Sequence, residues 1–245
     1  MVTAAPHEQL KLLAVQVHES RLRHLARLRT EAVADAALKA AVAAVASARS
    51  GLADAEAARE AADAAVEELE TQGSQVAARI AKDEAQLLAG QAGAGTLQGL
   101  QREIESLTQK RSELDDAELE AMDAAEAATA AAGVAAGALA GAESAEAEER
   151  ARVRALVAEL DAEKEAESAA RTQAAAGVPA DLLAFYEATL QRRGVGAARL
   201  FHGVSEGSGL ALSPGDLADI KRQAEDAVVL CPDSGVILVR SPEWS

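Results

Sequence analysis

Apolar residues over most of the chain recur at spacings of three and four. Near the start, Leu10, Leu13 and Val17 follow this spacing. The repeat is typical of a coiled-coil seam, in which one stripe of each helix faces a partner helix. It continues through alanine-rich stretches that contain no proline. The pattern predicts one long helix over residues 8–89 and a second over residues 96–176.

A glycine-rich stretch, Gly90–Gly95, separates the two predicted helices. Glycine gives the backbone the freedom to reverse direction, and inside a helix it costs about 1 kcal/mol relative to alanine. The helical segments on either side have nearly equal lengths. We therefore expect an antiparallel coiled-coil hairpin over residues 1–176, with its turn at 90–95.

The composition changes at Gly177-Val178-Pro179, where we place the end of the hairpin. A short helix is predicted from Pro179 to Gly194, and a second from Ser213 to about Gln223. Short runs rich in β-branched residues predict four strands: 197–204, 209–212, 228–230 and 236–239. The predicted fold class is mainly α, a long antiparallel two-helix coiled-coil hairpin with a small C-terminal α+β module over residues 177–245.

The net charge of −16 lies mostly in residues 31–176. Such a surface repels phosphate backbones, so we do not expect the helical arms to bind nucleic acid. Charged residues interrupt the apolar runs, and the N-terminal stretch lacks the pattern of a signal peptide, so no membrane association is expected. The lone Cys231 fits a reducing compartment. We therefore expect a cytoplasmic protein.

Several stretches together form an order and spacing that is specific, although no single one is diagnostic. They are Arg79–Leu88 and Leu97–Ile104 near the tip, Glu113–Met122, Val178–Tyr186 with Arg193, Leu212–Pro214 and Cys231–Leu238. In these stretches the chain resembles a bacterial family that joins a coiled-coil hairpin to a C-terminal zinc ribbon of the four-cysteine type. It is similar to an actinobacterial member with a degenerate ribbon. The resemblance covers nearly the whole chain.

The ribbon departs from the family at its metal ligands. The resemblance implies a Cys-x-x-Cys pair in each of two turns, but only Cys231 is a cysteine here. Ser205, Ser208 and Ser234 occupy the other three ligand positions. Structural zinc takes nitrogen or sulfur donors, and neutral serine hydroxyls are poor ones. We therefore expect these four positions to be vestigial, with no zinc and no other cofactor.

Two alternative uses of Cys231 are weighed. His202 or Asp233 would complete a mixed metal set with Cys231, but His202 lies on a predicted strand. A Cys231–His202 pair would also suit a nucleophile and its base, if the two hairpins brought them together. We expect Cys231 to be a residual ligand in a structural turn. We expect no catalytic residues and no enzyme activity.

The resemblance implies a non-enzymatic adaptor or chaperone-like protein that presents the module to a protein partner. From the sequence we expect either a monomer or a homodimer formed through the coiled coil. The alternative is RNA or other nucleic-acid binding through the basic residues of the module, which are Arg192, Arg193, Arg199, Lys221, Arg222 and Arg240. Phe201, His202 and Tyr186 are candidates for base stacking. Basic residues gathered on one face would favour nucleic acid, and basic residues scattered among acidic neighbours would favour the adaptor.

Overall fold

A computed structural model describes residues 2–90, 93–242 and 244. It confirms the predicted fold class, because long helices dominate and a small strand-containing module ends the chain. The helices are α1 (Pro6–Val33), α2 (Ala36–Ala89), α3 (Ala94–Ala176), α4 (Ala180–Arg193) and α5 (Pro214–Arg222). The strands are β1 (Ala197–Phe201), β2 (Val204–Ser205), β3 (Leu210–Ala211), β4 (Val229–Leu230) and β5 (Ile237–Arg240).

The predicted single helix over residues 8–89 is wrong in one respect, because the chain leaves the helix between α1 and α2. The break falls at Ala34-Asp35, where no proline or glycine marks it. Asp35 directly precedes α2, a position that aspartate favours because its carboxylate accepts from exposed backbone N–H groups. Its carboxylate also accepts a 2.7 Å hydrogen bond from Arg152 on α3.

Packing divides the chain into two compact units. One comprises residues 1–35 with 152–245, and the other comprises residues 36–151. The predicted domain boundary at residue 177 remains a prediction, but α1 and the last part of α3 pack in the same unit as the C-terminal module. Each unit is described by itself below.

In the second unit, α2 and the first part of α3 run antiparallel. Arg49 pairs with Glu143, and Arg79 pairs with Glu103 at 2.8 Å. Small seam residues bury little apolar area, so few side chains here are buried, among them Val45, Asp83, Leu114 and Ala132. The reversal lies between Ala89 and Ala94, and Gly90 has φ 62°. Gln91 and Ala92 of the predicted turn lie outside the described residues.

In the first unit, the buried face of α1 is not the predicted seam. Leu12 and Val15 are fully buried, whereas Leu10 is 37% exposed and Val17 is 66% exposed. The prediction assumed a two-helix coil, but α1 also packs on α4 and on the strands of the module. Leu12 and Val15 join Tyr186 in one core cluster. Farther along α1, Leu25 packs with Leu160 of α3 as the repeat predicts.

The module contains one five-stranded sheet with the order β3-β2-β1-β5-β4. Neighbouring strands are antiparallel except β1 and β5, which pair in parallel with Ala197 opposite Ile237. The predicted strand 197–204 is wrong, because it is two strands joined at His202-Gly203. Both residues have positive φ, 46° and 72°, as in the two-residue turns that reverse a hairpin.

Buried polar contacts join α1 to the module. The Oε1 atom of Gln16 accepts hydrogen bonds from the Tyr186 hydroxyl at 3.1 Å and from the Gly196 backbone N–H at 2.8 Å. The Tyr186 side chain is completely buried, and this burial raises the pKa of its hydroxyl. Gln16 therefore holds α1, α4 and the start of β1 at one point.

Candidate functional site

Cys231 lies in the turn between β4 and β5 and is 2% exposed. Its backbone N–H donates to the Val236 carbonyl and its carbonyl accepts from the Gly235 N–H, each at 2.8 Å. Gly235 has φ 70°, a left-handed conformation that suits glycine. These bonds fold the turn tightly around the sulfur.

Ser205 and Ser234, two of the residues at the family's ligand positions, lie beside the Cys231 sulfur. Burial alone would raise the pKa of the Cys231 thiol. Interactions from the Ser234 hydroxyl and N–H, the Asp233 N–H and the Ser205 hydroxyl outweigh it, so the pKa lies below its ordinary value. Both serine hydroxyl oxygens are buried and make no hydrogen bond of regular geometry within the described part of the chain.

Ser208 is placed differently from the other three residues. It is half-buried, and its Oγ accepts a 3.3 Å hydrogen bond from the Leu210 N–H. The loop before it packs closely, since a Cβ atom on Gly207 would lie 2.8 Å from the Cβ of Ala198. The structure thus brings Ser205, Cys231 and Ser234 together, whereas Ser208 makes its hydrogen bond within the β2–β3 hairpin.

This donor set does not fit structural zinc. It offers one thiol and neutral hydroxyls, where zinc takes four sulfur or nitrogen ligands. Across residues 2–90, 93–242 and 244, no group of three or more His, Cys, Asp or Glu side chains is placed to hold a metal. His202 packs edge-on against Phe201, with 4.2 Å between ring centroids. It is not among the groups that shift the pKa of Cys231.

Three of the six basic residues of the module bind partners in their own neighbourhood. Arg199 donates to Glu206 at 2.8 Å, and Arg222 forms an ion pair with Asp219. Arg240 donates to three backbone carbonyls, those of Ala224, Glu225 and Ala227, at 2.8–2.9 Å. Arg240 is therefore a structural residue that closes the loop before β4.

The other three basic residues lie in different surroundings. Arg192 donates to the Ala188 carbonyl one turn earlier in α4. Arg193 contacts Gly235, where an added Cβ would lie 2.9 Å from its Nε atom. Lys221 lies over the ring of Trp244, 5.8 Å from its centroid. The six basic residues of the module therefore contact different groups.

Two surface cavities lie between α1 and the module. One, of about 400 Å³, is lined by Pro6 and Leu10 on one side and by Lys221, Arg240 and Trp244 on the other. The second, of about 440 Å³, includes Leu13, Val17, Val195, Ala198 and Arg199. The sequence pattern did not single out Trp244. It also did not predict an exposed apolar side of α1, because the apolar spacing of α1 was assigned to the coiled-coil seam.

Comparison with known proteins places these features in a family. The CT398-like coiled coil hairpin domain matches residues 15–194. The chain is 29% identical over 233 residues to the uncharacterized protein Rv2229c of Mycobacterium tuberculosis, covering 95% of each chain.

Two solved structures share the fold. One from Mycobacterium smegmatis is 24% identical with a TM-score of 0.84, and the match covers 98% of this chain and 100% of that one. CT398 from Chlamydia trachomatis is 19% identical with a TM-score of 0.72, and the match covers 96% and 98%. The family model spans well over half of the sequence. The chain therefore belongs to the CT398-like coiled coil hairpin domain family.

Proposed function

We propose that this protein is a non-enzymatic adaptor whose helical hairpin carries the C-terminal module to a protein partner. The observation that supports this proposal best is that basic side chains of the module bind groups of the same chain. Arg199 binds Glu206, Arg222 binds Asp219, and Arg240 binds backbone carbonyls. A surface that reads phosphates needs such side chains turned toward the ligand. A protein partner is therefore the better match.

The absence of enzyme activity is part of the proposal. Cys231, the candidate nucleophile, is 2% exposed and is surrounded by serine hydroxyls and backbone amides. A cysteine nucleophile needs access to its substrate and an adjacent base. His202, the base considered for it, contacts Phe201 instead.

Nucleic-acid binding is the second candidate, because two basic side chains lie over aromatic rings. Arg199 lies 4.3 Å from the Phe201 ring centroid, and Lys221 lies over Trp244. Aromatic and basic side chains together form the stacking surfaces of single-strand binders. The net charge of −16 opposes such binding.

One experiment separates the two candidates. Full-length protein is used, since α1 supplies part of the core of the module. We expect no salt-dependent binding of a fluorescent single-stranded RNA, and capture of the same protein partner with and without RNase. An RNA affinity that falls with added salt and is lost in the double variant Arg199→Gln, Lys221→Gln would contradict the adaptor proposal. The variant Arg49→Gln, Lys39→Gln removes the same charge from α2 and is the control.

We also propose that the protein holds no resident zinc. The one thiol and the neutral hydroxyls around it support this, since zinc affinity in ribbon sites comes from several thiolates. Metal analysis of protein purified without chelators is expected to find no stoichiometric zinc. One zinc per chain that resists dialysis, and that disappears in Cys231→Ser, would overturn the proposal.

A cytoplasmic location without membrane contact completes the proposal. By length and composition alone, α3 contains a window apolar enough to cross a membrane, with a mean hydropathy of 1.2. The acidic residues Asp123, Glu126, Glu143 and Glu146 flank the alanine- and glycine-rich part of this helix. Burying such charges in a bilayer is costly, which supports a helix outside the membrane.

A further inference from the structure

Two hairpins of the module meet at the Cys231 sulfur. Ser205 ends β2, whereas Cys231 and Ser234 lie in the turn between β4 and β5. In the sheet, β1 and β5 separate β2 from β4, so these residues are not neighbours along a strand pair. Cys231 is instead buried in a core cluster with side chains of β1 and β5, among them Leu200 and Leu238, and Ser205 is paired with Leu200.

The loop after β2 reaches across β1 toward the β4–β5 turn. An added Cβ on Gly207 in this loop would lie 2.8 Å from the Cβ of Ala198 and 3.0 Å from a methyl carbon of Val236. The carbonyl of Val236 in turn accepts the 2.8 Å hydrogen bond from the Cys231 N–H. Close backbone packing on both sides of the cluster therefore holds the Ser205 side chain beside the turn that carries the sulfur.

Two buried hydroxyls of this cluster need an acceptor. Ser205 is fully buried, and the Oγ atoms of Ser205 and Ser234 are shielded from solvent without a hydrogen bond of regular geometry to any residue that the structure describes. An unpaired buried hydroxyl is costly, and buried polar groups are rarely left unpaired. Both hydroxyls interact with the Cys231 sulfur, and a hydroxyl hydrogen rotates toward the acceptor that its site offers.

We propose that the Cys231 sulfur accepts hydrogen bonds from the Ser205 and Ser234 hydroxyls, and that this metal-free cluster joins the two hairpins where the family resemblance implies zinc. The inference rests on the absence of resident zinc proposed above. The backbone N–H groups of Asp233 and Ser234 also interact with the sulfur, so four donors surround one acceptor. Ser205 comes from one hairpin and the sulfur from the other, so their hydrogen bond spans the same gap as a shared metal ion.

Ser205→Ala tests this hydrogen bond, because a bonded and an unpaired hydroxyl predict opposite signs. Removing an unpaired buried hydroxyl would lower the equilibrium constant for unfolding, whereas we expect Ser205→Ala to raise that constant about fivefold. In a Cys231→Ala background the hydroxyl has lost its acceptor, so there we expect Ser205→Ala to lower the constant. Urea unfolding of the full-length protein is followed by the fluorescence of Trp244, which packs against the same cluster. Ser234→Ala in the wild-type background gives a second test of the sign that does not need Cys231→Ala to fold.

Ser208→Ala is the matched control. Its Oγ accepts from the Leu210 N–H outside the cluster, so removal of the same atom should have an equal effect in the wild-type and Cys231→Ala backgrounds. A Ser205→Ala protein as stable as wild type or more stable, or additive effects of Ser205→Ala and Cys231→Ala, would overturn the cluster. Each protein is also unfolded in the presence of EDTA. Loss of wild-type stability in EDTA would overturn the absence of zinc, whereas additivity without any effect of EDTA would overturn the cluster alone.

Discussion

Replacing Gly196 with alanine is expected to unfold the junction between α4 and β1. A Cβ atom at this position would overlap the ring of Tyr186, lying 2.8 Å from its Cζ atom and nearer still to Cδ2 and Cε2. Tyr186 has no room to move, because its side chain is completely buried and its hydroxyl bonds to Gln16. We expect a loss of about 3 kcal/mol in the free energy of unfolding, the range of severe overpacking.

Gly133→Ala is the matched control, since an added Cβ there would meet nothing within 4 Å. Gly133 lies inside α3, where alanine is favoured by about 1 kcal/mol, so the same chemical change should stabilise the helix. Urea unfolding followed by Trp244 fluorescence measures the first variant, and amide hydrogen exchange in α3 measures the second. Equal stability of Gly196→Ala and wild type would show that Tyr186 does not pack against this backbone.

Leu12→Ala is expected to cost about 2–5 kcal/mol, the range of cavity-forming substitutions at fully buried leucines. Leu12 is completely buried and lies in the same core cluster as Tyr186 and Ile237. The cavity would therefore open between α1 and the sheet of the module. Urea unfolding followed by Trp244 fluorescence reports the loss, because Trp244 packs beside the second core cluster of the same unit.

Leu10→Ala is the control for Leu12→Ala, on the same helix and with the same atoms removed. Leu10 is 37% exposed, so its truncation should cost about 1.5 kcal/mol or less, below the range expected for Leu12→Ala. The helical repeat in the sequence predicts the opposite order, with Leu10 in the seam. If Leu10→Ala proved as damaging as Leu12→Ala, the packing of α1 described above would be wrong.

The candidate site was predictable in its residues but not in its contacts. The positions Ser205, Ser208, Cys231 and Ser234 followed from the family resemblance. That Ser205 and Ser234 approach the sulfur while Ser208 bonds to Leu210 depends on how the two hairpins pack. The role of Arg240 was also out of reach, because its partners are backbone carbonyls of the loop before β4.

The sequence by itself determined the long helices, the reversal near Gly90, the short helices α4 and α5 and the presence of strands after residue 196. These features are set by local periodicity, by glycine and proline, and by N-terminal caps such as Ser213, all of which act within a few residues. Only the tertiary structure decided which side of α1 is buried, where α1 ends, and that β1 pairs in parallel with β5. Those outcomes depend on side chains far apart in the chain, and the two apolar sides of α1 are indistinguishable until the module covers one of them.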